Sequence, residues 1–144
     1  MNLPKYFRIG VYGLLLQNKQ LLIAKENIKG QEVIKFPGGG LQLGEGIRDA
    51  IQREFQEELN IQIEITQHIY INDFYVQSAI DSNYQVIAVY YLIKSDVILP
   101  AQAFIRNHIL FDWMNLDETN TSLLTFETDK RAFAELLQIL TQKR

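Results

Sequence analysis

Residues 39–61 read GGLQLGEGIRDAIQREFQEELNI, and this stretch decides how the rest of the chain is interpreted. It joins a glycine-rich segment to a sequence in which apolar residues recur every three or four positions, the spacing of an amphipathic helix. The apolar positions are Ile47, Ala50, Ile51, Phe55 and Leu59. The pattern predicts a helix over residues 46–59 that ends at Asn60, because asparagine tolerates the left-handed conformation that follows many helices.

Two glutamates of this helix, Glu54 and Glu58, fall within its apolar arc. With about 100° per residue, each lies about 20° from Ile47, and Glu57 lies at the edge of the arc. Ionised carboxylates on a buried face are costly unless cations compensate them. Oxygen ligands favour Mg²⁺, Mn²⁺ or Ca²⁺, and Mg²⁺ binds through carboxylates and substrate phosphates. The stretch predicts a divalent-metal site for a phosphorylated molecule; a solvated helix face is the alternative.

Composition excludes several classes of protein. The 144 residues are 47% hydrophobic and 22% charged, as in one globular domain spanning residues 1–144. A net charge of -3 predicts no nucleic-acid partner. The longest apolar run, residues 86–93, is too short for a membrane helix, and no signal segment opens the chain, so we expect a cytoplasmic protein without a membrane partner. Without cysteine and with two histidines, a metal must be held by oxygen.

The remaining chain alternates between strand and helix patterns. An opening hairpin, a short strand ending at Pro37, two long antiparallel strands, a further strand and a closing helix with Thr128 as N-cap are predicted. We expect the loop between the long strands at residues 80–84, and a polar loop at residues 27–32. This order predicts a mixed α/β sandwich with helices packed on a sheet. The elements are expected at residues 7–16 and 20–24, 33–36, 61–79, 84–99, 109–114 and 129–141.

The opening stretch resembles the Nudix box, G-x5-E-x7-R-E-U-x-E-E-x-G-U, in which U is a bulky apolar residue. Asn60 stands where the family has glycine, and the preceding Phe36-Pro37-Gly38 is similar to the usual lead-in of that family. The resemblance implies the Nudix fold, an α/β (α+β) architecture in which a mixed sheet is sandwiched between helices. The matching positions are Gly39, Glu45, Arg53, Glu54, Phe55, Glu57, Glu58 and Ile61.

This resemblance also implies an activity. Nudix hydrolases cleave the pyrophosphate linkage of a nucleoside diphosphate joined to a moiety X, through water attack at phosphorus with bound Mg²⁺, for which Mn²⁺ can substitute. The implied metal ligands are the Gly38 carbonyl and the carboxylates of Glu54, Glu57 and Glu58. Glu54 or Glu58 is the general base, a choice that the sequence leaves open. Arg53 is expected to orient the glutamates and compensate their charge.

Residues outside the box complete the expected site. Asp112, directly before Trp113, resembles an additional acid of some family members and is expected as a metal ligand or base; an ordinary strand-end acid is the alternative. Lys25 resembles a position where the family directs a cation toward substrate phosphate, and a solvated lysine is the alternative. Phe36, Gly38 and Gly39 are also expected to contact substrate.

The substrate and assembly stay open at this stage. Nucleoside triphosphates are the first candidates, followed by nucleotide sugars and dinucleoside polyphosphates. The alternative function is a catalytically silent Nudix-fold module that binds a nucleotide as a regulator. A homodimer through the strands or the last helix is a further alternative that one sequence does not test.

Overall fold

The computed structural model describes residues 2–142, and within them eight strands, two α-helices and a short 3₁₀ helix, Glu118–Leu123. In this part of the chain the central sheet has the order β5-β6-β1-β2-β8-β7, with β3 on β2 and β4 on β1. The strands are β1 Tyr6–Gln17, β2 Gln20–Ile28, β3 Gln31–Lys35, β4 Gly38–Gly40, β5 Ile63–Ile71, β6 Tyr84–Ser95, β7 Phe104–Arg106 and β8 Ile109–Asn115; the helices are α1 Ile47–Leu59 and α2 Glu127–Gln142.

The sheet splits between its two central strands. Asn18 and Lys19 have φ of 51° and 62°, the conformation of a tight hairpin turn, so β1 and β2 pair beside that turn at Leu16–Leu21 and Gln17–Gln20. Farther from the turn, β1 pairs with β4 on one side and lies parallel to β6 on the other, while β2 pairs with β3 and β8. Two half-sheets therefore diverge from the hairpin.

Each face of the sheet is covered by one helix. Successive residues of β1 face opposite sides, so Leu15 belongs to the core cluster under α1 and Leu14 to the cluster under α2. Phe55 from α1 and Phe133 from α2 are fully buried, and burying each such side chain stabilises the fold by roughly 1.5–3 kcal/mol. The expected α/β/α sandwich with a mixed sheet is confirmed.

A close approach fixes α1 on the sheet. A Cβ at Gly13 of β1 would lie 2.7 Å from Cε1 of Phe55 and 2.6 Å from Cδ1 of Ile93. Because glycine has no side chain, the Phe55 ring packs directly on the β1 backbone. The height of α1 above the sheet, and with it the position of the α1 carboxylates, depends on this contact.

Three local features differ from the expectations above or add to them. The loop at residues 27–32 is reduced to a turn at Lys29 and Gly30, which have positive φ and join β2 to β3 as a hairpin. The glycine-rich segment begins with a strand, β4, that pairs with β1. Helix α2 begins at Glu127, one residue before the expected N-cap Thr128.

The long strand expected over residues 61–79 ends at Ile71. Asn72, which is 8% exposed, stops it: its amide donates to the carbonyls of Phe74 and Val86, and its side-chain oxygen accepts from the Ala88 N–H. Residues 72–83 therefore form a loop that folds back against β6. β5 and β6 are antiparallel as expected.

Within residues 2–142, no helix combines the length and apolar character needed to cross a membrane.

Candidate active site

The segment before α1 is held by side chains that accept backbone N–H groups. The Gln42 N–H donates to Glu45 Oε1 at 2.9 Å, and the Gly46 N–H donates to Asp49 Oδ2 at 3.3 Å. At the other end, Asn60 adopts a left-handed conformation with φ of 55°, which confirms the expected helix end. The sequence therefore fixes both ends of the helix that carries the glutamates.

Arg53 organises the acidic face of α1. Its guanidinium binds Glu45 in a bidentate manner at 2.9 and 2.7 Å, and its Nη1 lies 3.0 Å from Glu54 Oε1 and 3.4 Å from Glu57. A further bond from Nη2 reaches the Gly40 carbonyl at 3.1 Å. The bonds to Glu45 raise the pKa of Arg53, and those from Arg53 lower the pKa of Glu45. Arg53 is thus engaged by groups of the protein itself.

Glu54 lies against the glycine strand. Its side chain is 12% exposed, and a Cβ at Gly39 would lie 2.5 Å from its Oε1. Gly39 therefore leaves the space in which the Glu54 carboxylate sits. Gly38 has φ of 149°, and a Cβ there would meet the Val11 carbonyl oxygen, so the backbone requires glycine at this position.

Glu58 differs from Glu54 and Glu57, because Arg53 makes no contact with it among the described residues. Burial raises the pKa of Glu58 to about 7; the positive charge of Lys35 opposes this shift, whereas Glu54, Glu26 and Glu57 add to it. Glu57 is 56% exposed at the rim. Glu26 of β2 was not anticipated from the sequence; it lies two residues after the buried Ala24 on the strand face that looks toward α1.

The donor set of this face fits a divalent cation, because carboxylate oxygens are what Mg²⁺ and Mn²⁺ prefer. Glu54, Glu57 and Glu58 carry the oxygens that would bind the ion, with the backbone of Gly38 nearby on β4. In the arrangement seen for residues 2–142, no three Asp, Glu or His side chains are grouped as a metal site. Glu54 and Glu57 instead share Nη1 of Arg53.

Asp112 and Lys25 lie away from this face. Phe111 and Trp113 face the core under α1, so Asp112 between them faces the α2 side, directly opposite Ile23 of that core. Lys25 Nζ lies 3.5 Å from Asp112 Oδ2. Strand alternation therefore directs both side chains to the α2 side of the sheet, where they form a surface ion pair. The expected roles of Asp112 toward a metal and of Lys25 toward substrate phosphate stay predictions.

The expected role of Phe36 needs correction. Its side chain is 0% exposed and packs in the core under α2, where its ring contacts Tyr90 edge-on at 6.4 Å between centroids. Full burial removes the ring from contact with a ligand. Phe36 contributes instead through its backbone N–H, which donates to Asp129 Oδ2 at 3.2 Å.

A cavity of about 480 Å³ opens where the half-sheets diverge, and we call it the split-sheet cavity. It lies between the outer ends of β1 and β2, the 72–83 loop and the start of α2. Its volume falls within the roughly 300–1,000 Å³ of small-molecule sites. The lining includes charged or aromatic residues from four elements and the segments between them: Arg8, Tyr12, Lys29, Lys35, Asp81, Tyr84, Phe126, Glu127 and Asp129. The sequence did not predict this cavity, because it is formed by long-range strand divergence.

A buried hydrogen-bond network forms the floor of the cavity. Asp129 is 2% exposed; its Oδ1 accepts from the hydroxyl of Tyr90, which also contacts Thr128 at 2.9 Å. Burial raises the pKa of Asp129 to about 6 and that of Tyr12, stacked on Tyr90 at 5.0 Å, to about 12. Asp129 is a polar site residue that sequence reasoning missed, because a single aspartate near a helix start resembles an ordinary surface residue.

Comparison with known families identifies the arrangement. The family model described as the NUDIX domain matches residues 6–137, which is most of the chain. The chain belongs to the NUDIX domain family. The predicted family is confirmed, and the stretch that resembles its Nudix box forms α1 and the segment before it. The comparison with curated protein sequences finds no match.

Solved structures show the same fold at low sequence identity. The chain resembles the E. coli ORF135 protein with a TM-score of 0.77 and 15% identity, covering 96% of this chain and 94% of that one. It resembles a MutT protein from Methanosarcina mazei Go1 with a TM-score of 0.70 and 22% identity, covering 99% of this chain and 100% of that one. It resembles an ADP-ribose pyrophosphatase from Streptococcus suis 89-1591 with a TM-score of 0.61 and 17% identity, covering 95% of this chain and 92% of that one. The predicted class, a hydrolase of this family, is confirmed.

Proposed function

We propose that the protein hydrolyses the pyrophosphate linkage of a nucleoside diphosphate joined to a moiety X, in a reaction that depends on Mg²⁺ or Mn²⁺. The observation that carries the proposal is the acidic face of α1 within a NUDIX domain, to which β1 and β4 connect the wall of the split-sheet cavity. Tyr12 of the cavity wall pairs in register with Gly38, and β4 runs on to Gly39 against Glu54. A ligand whose nucleoside occupies the cavity can thus extend its phosphates toward α1.

The carboxylates of α1 have different proposed roles. Glu54 and Glu57, held by Arg53, present oxygens in a fixed orientation. Glu58 has no Arg53 contact, so its carboxylate is available to accept a proton from the attacking water. A divalent cation bound by these oxygens supplies neutralisation of phosphate charge and polarisation of water. Arg53 keeps the like-charged glutamates together before substrate binds.

The substrate class follows from the cavity and the family. Nucleoside triphosphates are the first candidates, and the names of the structural relatives support also testing ADP-ribose. The cavity offers aromatic rings of Tyr12, Tyr84 and Phe126 and several charged groups, which suit a nucleobase and ribose. Mg²⁺ is the expected cofactor.

The test is hydrolysis of the eight common nucleoside triphosphates, ADP-ribose, nucleotide sugars and diadenosine polyphosphates. Each compound is incubated with Mg²⁺, Mn²⁺ or chelator, in ¹⁸O-labelled water. Metal-dependent cleavage with ¹⁸O in a phosphate product supports water attack at phosphorus. Binding of a nucleotide without cleavage of any compound contradicts the proposal and favours the regulatory module.

A further inference from the structure

Lys35, the last residue of β3, is buried without a partner that explains its burial. The residue is 7% exposed, and lysine is rarely buried this far unless paired. Among residues 2–142, no carboxylate lies within ion-pair distance of its ammonium, and the ammonium donates no hydrogen bond. Its Nζ lies 5.3 Å from the centroid of the Tyr12 ring, a cation-π contact that supplies part of the missing stabilisation.

The ammonium of Lys35 faces the split-sheet cavity. Within the described part of the chain, every deeply buried side-chain nitrogen or oxygen has a hydrogen-bond partner. An ammonium without such a partner must therefore be reached by solvent. Lys35 lines the split-sheet cavity, which gives that access.

Lys35 also lies between the two helical layers. Its positive charge opposes the raised pKa of Glu58 on α1 and that of Asp129 on α2. Both oxygens of Asp129 already accept hydrogen bonds, from Tyr90 and from the Phe36 N–H. The ammonium is therefore near acids of both layers and is bonded to neither.

We propose that Lys35 binds the phosphate nearest the nucleoside of the substrate. The inference rests on the proposed function, which puts the nucleoside in the cavity and the outer phosphates beside α1. A phosphate that joins those two parts passes the ammonium between them. Lysine offers three N–H donors and a full positive charge to phosphate oxygens. The phosphate thus supplies the hydrogen-bonding partner that the protein itself does not.

The other lysines near this region do not share these properties. Lys25 is paired with Asp112, and Lys29 is paired with Asp81 at 3.6 Å. Their side chains are 40% and 67% exposed, so water solvates both charges. Lys94 of β6 is 61% exposed, is paired with Glu64 at 3.7 Å and does not line the cavity, so it serves as the control.

The experiment compares Lys35→Met, Lys35→Arg and Lys94→Met with the unmodified protein. Calorimetry in chelator, without divalent cation, measures binding of AMP, GMP, CMP and UMP, of the four matching nucleosides, and of inorganic pyrophosphate. Methionine keeps the unbranched stem over Tyr12 while removing the charge. Thermal unfolding checks folding, and Lys35→Gln serves as a second neutral variant if methionine disturbs it.

We expect the Lys35→Met variant to bind the preferred monophosphate about ten- to hundred-fold more weakly, the loss of one charge-assisted contact. Binding of the matching nucleoside should not change, Lys35→Arg should recover most of the affinity, and Lys94→Met should bind as the unmodified protein does. Equal losses for nucleotide and nucleoside, no loss at all, or no phosphate-bearing probe bound by the unmodified protein would overturn the assignment.

Turnover by the same preparations separates this inference from the proposed function. Phosphate-dependent binding through Lys35 together with no hydrolysis of any compound supports the lysine assignment and overturns the hydrolase. Hydrolysis together with nucleotide binding that is indifferent to Lys35→Met keeps the hydrolase and overturns the lysine assignment.

Discussion

The two faces of the sheet accommodate acidic side chains in opposite ways. On the α1 face, Glu45, Glu54 and Glu57 share the guanidinium of Arg53 at the edge of the core. On the α2 face, Asp129 is almost fully buried and accepts hydrogen bonds from the Tyr90 hydroxyl and a backbone N–H. The first arrangement neutralises acids with a full opposite charge, and the second uses neutral donors.

This difference teaches what each face can do. An ion-paired carboxylate near the surface keeps its charge and can exchange its partner for a metal ion. A carboxylate in a neutral, buried network has a raised pKa and holds neighbouring side chains in fixed positions. The α1 face is therefore suited to chemistry and the α2 face to shaping a binding cavity.

Among the substitutions considered, Glu58→Gln should reduce the activity of the α1 face most. We expect turnover to fall by about 10²–10⁴-fold, because the amide neither accepts the proton of water nor binds a cation as a carboxylate does. Thermal unfolding without metal should be unchanged or slightly improved, since a half-buried charge near Glu54 is removed. Steady-state kinetics and calorimetry measure both. Glu64→Gln, on the exposed edge of β5, is the control, and equal activity of the two variants would contradict the assignment.

Gly39→Ala should disturb the same face without touching a carboxylate. The new Cβ would lie 2.5 Å from Glu54 Oε1, so the flexible end of Glu54 must move away. A displacement of this size is expected to lower turnover about 100-fold, with little change in melting temperature. Gly40→Ala is the matched control, because its Cβ would lie 3.4 Å from Nη1 of Arg8. Similar rates for both variants would show that the position of Glu54 does not matter.

The α1 face could be predicted because its signals are local. Helical spacing located α1, and Asn60 marked its end. The angle of about 100° per residue separated Glu54 and Glu58 from the more exposed Glu57. These features depend on residues within about four positions of one another. The spacing of the Nudix box added the family, its fold and its hydrolase class.

The α2 face could not be predicted because it is assembled from distant segments. Phe74, Tyr75 and Val76 are residues typical of a strand, yet Asn72 ends β5 through bonds to Val86 and Ala88. Lys35 and Asp129 belong to no motif, and the divergence of β1 and β2 makes them neighbours of one cavity. The side of the sheet faced by Asp112 likewise depends on strand register, which its position before Trp113 does not reveal.

The pH dependence of the unfolding free energy tests how the α2 face holds its buried acid. Burial raises the pKa of Asp129 from 3.8 to about 6, so its favourable contribution is complete below pH about 3.8 and is lost as pH rises through about 6. Lys35 of β3 and the Tyr90 hydroxyl of β6 face the same carboxyl group.

Relative to the Asp129→Asn variant, the unfolding free energy of the unmodified protein should therefore fall by about 2 kcal/mol between pH 4 and pH 7. Urea unfolding of both proteins across this range measures the difference. If the unfolding free energies of the two proteins change in parallel with pH, Asp129 has an ordinary pKa and water reaches its hydrogen-bond network.

The smallest expected effect is at the rim of the cavity. The guanidinium of Arg131 lies 4.4 Å from the ring centroid of Phe74, and its Nε lies 3.3 Å from Glu127 Oε1, so it ties the 72–83 loop to α2. Both charged side chains are more than half exposed, so Arg131→Ala should change the unfolding free energy by less than about 1 kcal/mol.

Because this loop lines the cavity and does not approach α1, the Arg131→Ala variant should raise KM a few-fold and leave kcat unchanged. That is the pattern of an interaction made equally in the bound substrate and in the transition state. Lys94→Ala, which removes an exposed ion pair with Glu64 away from the cavity, should change neither constant. A fall in kcat with Arg131→Ala would instead show that the loop reaches the reacting phosphates, and the division of labour between the two faces would no longer hold.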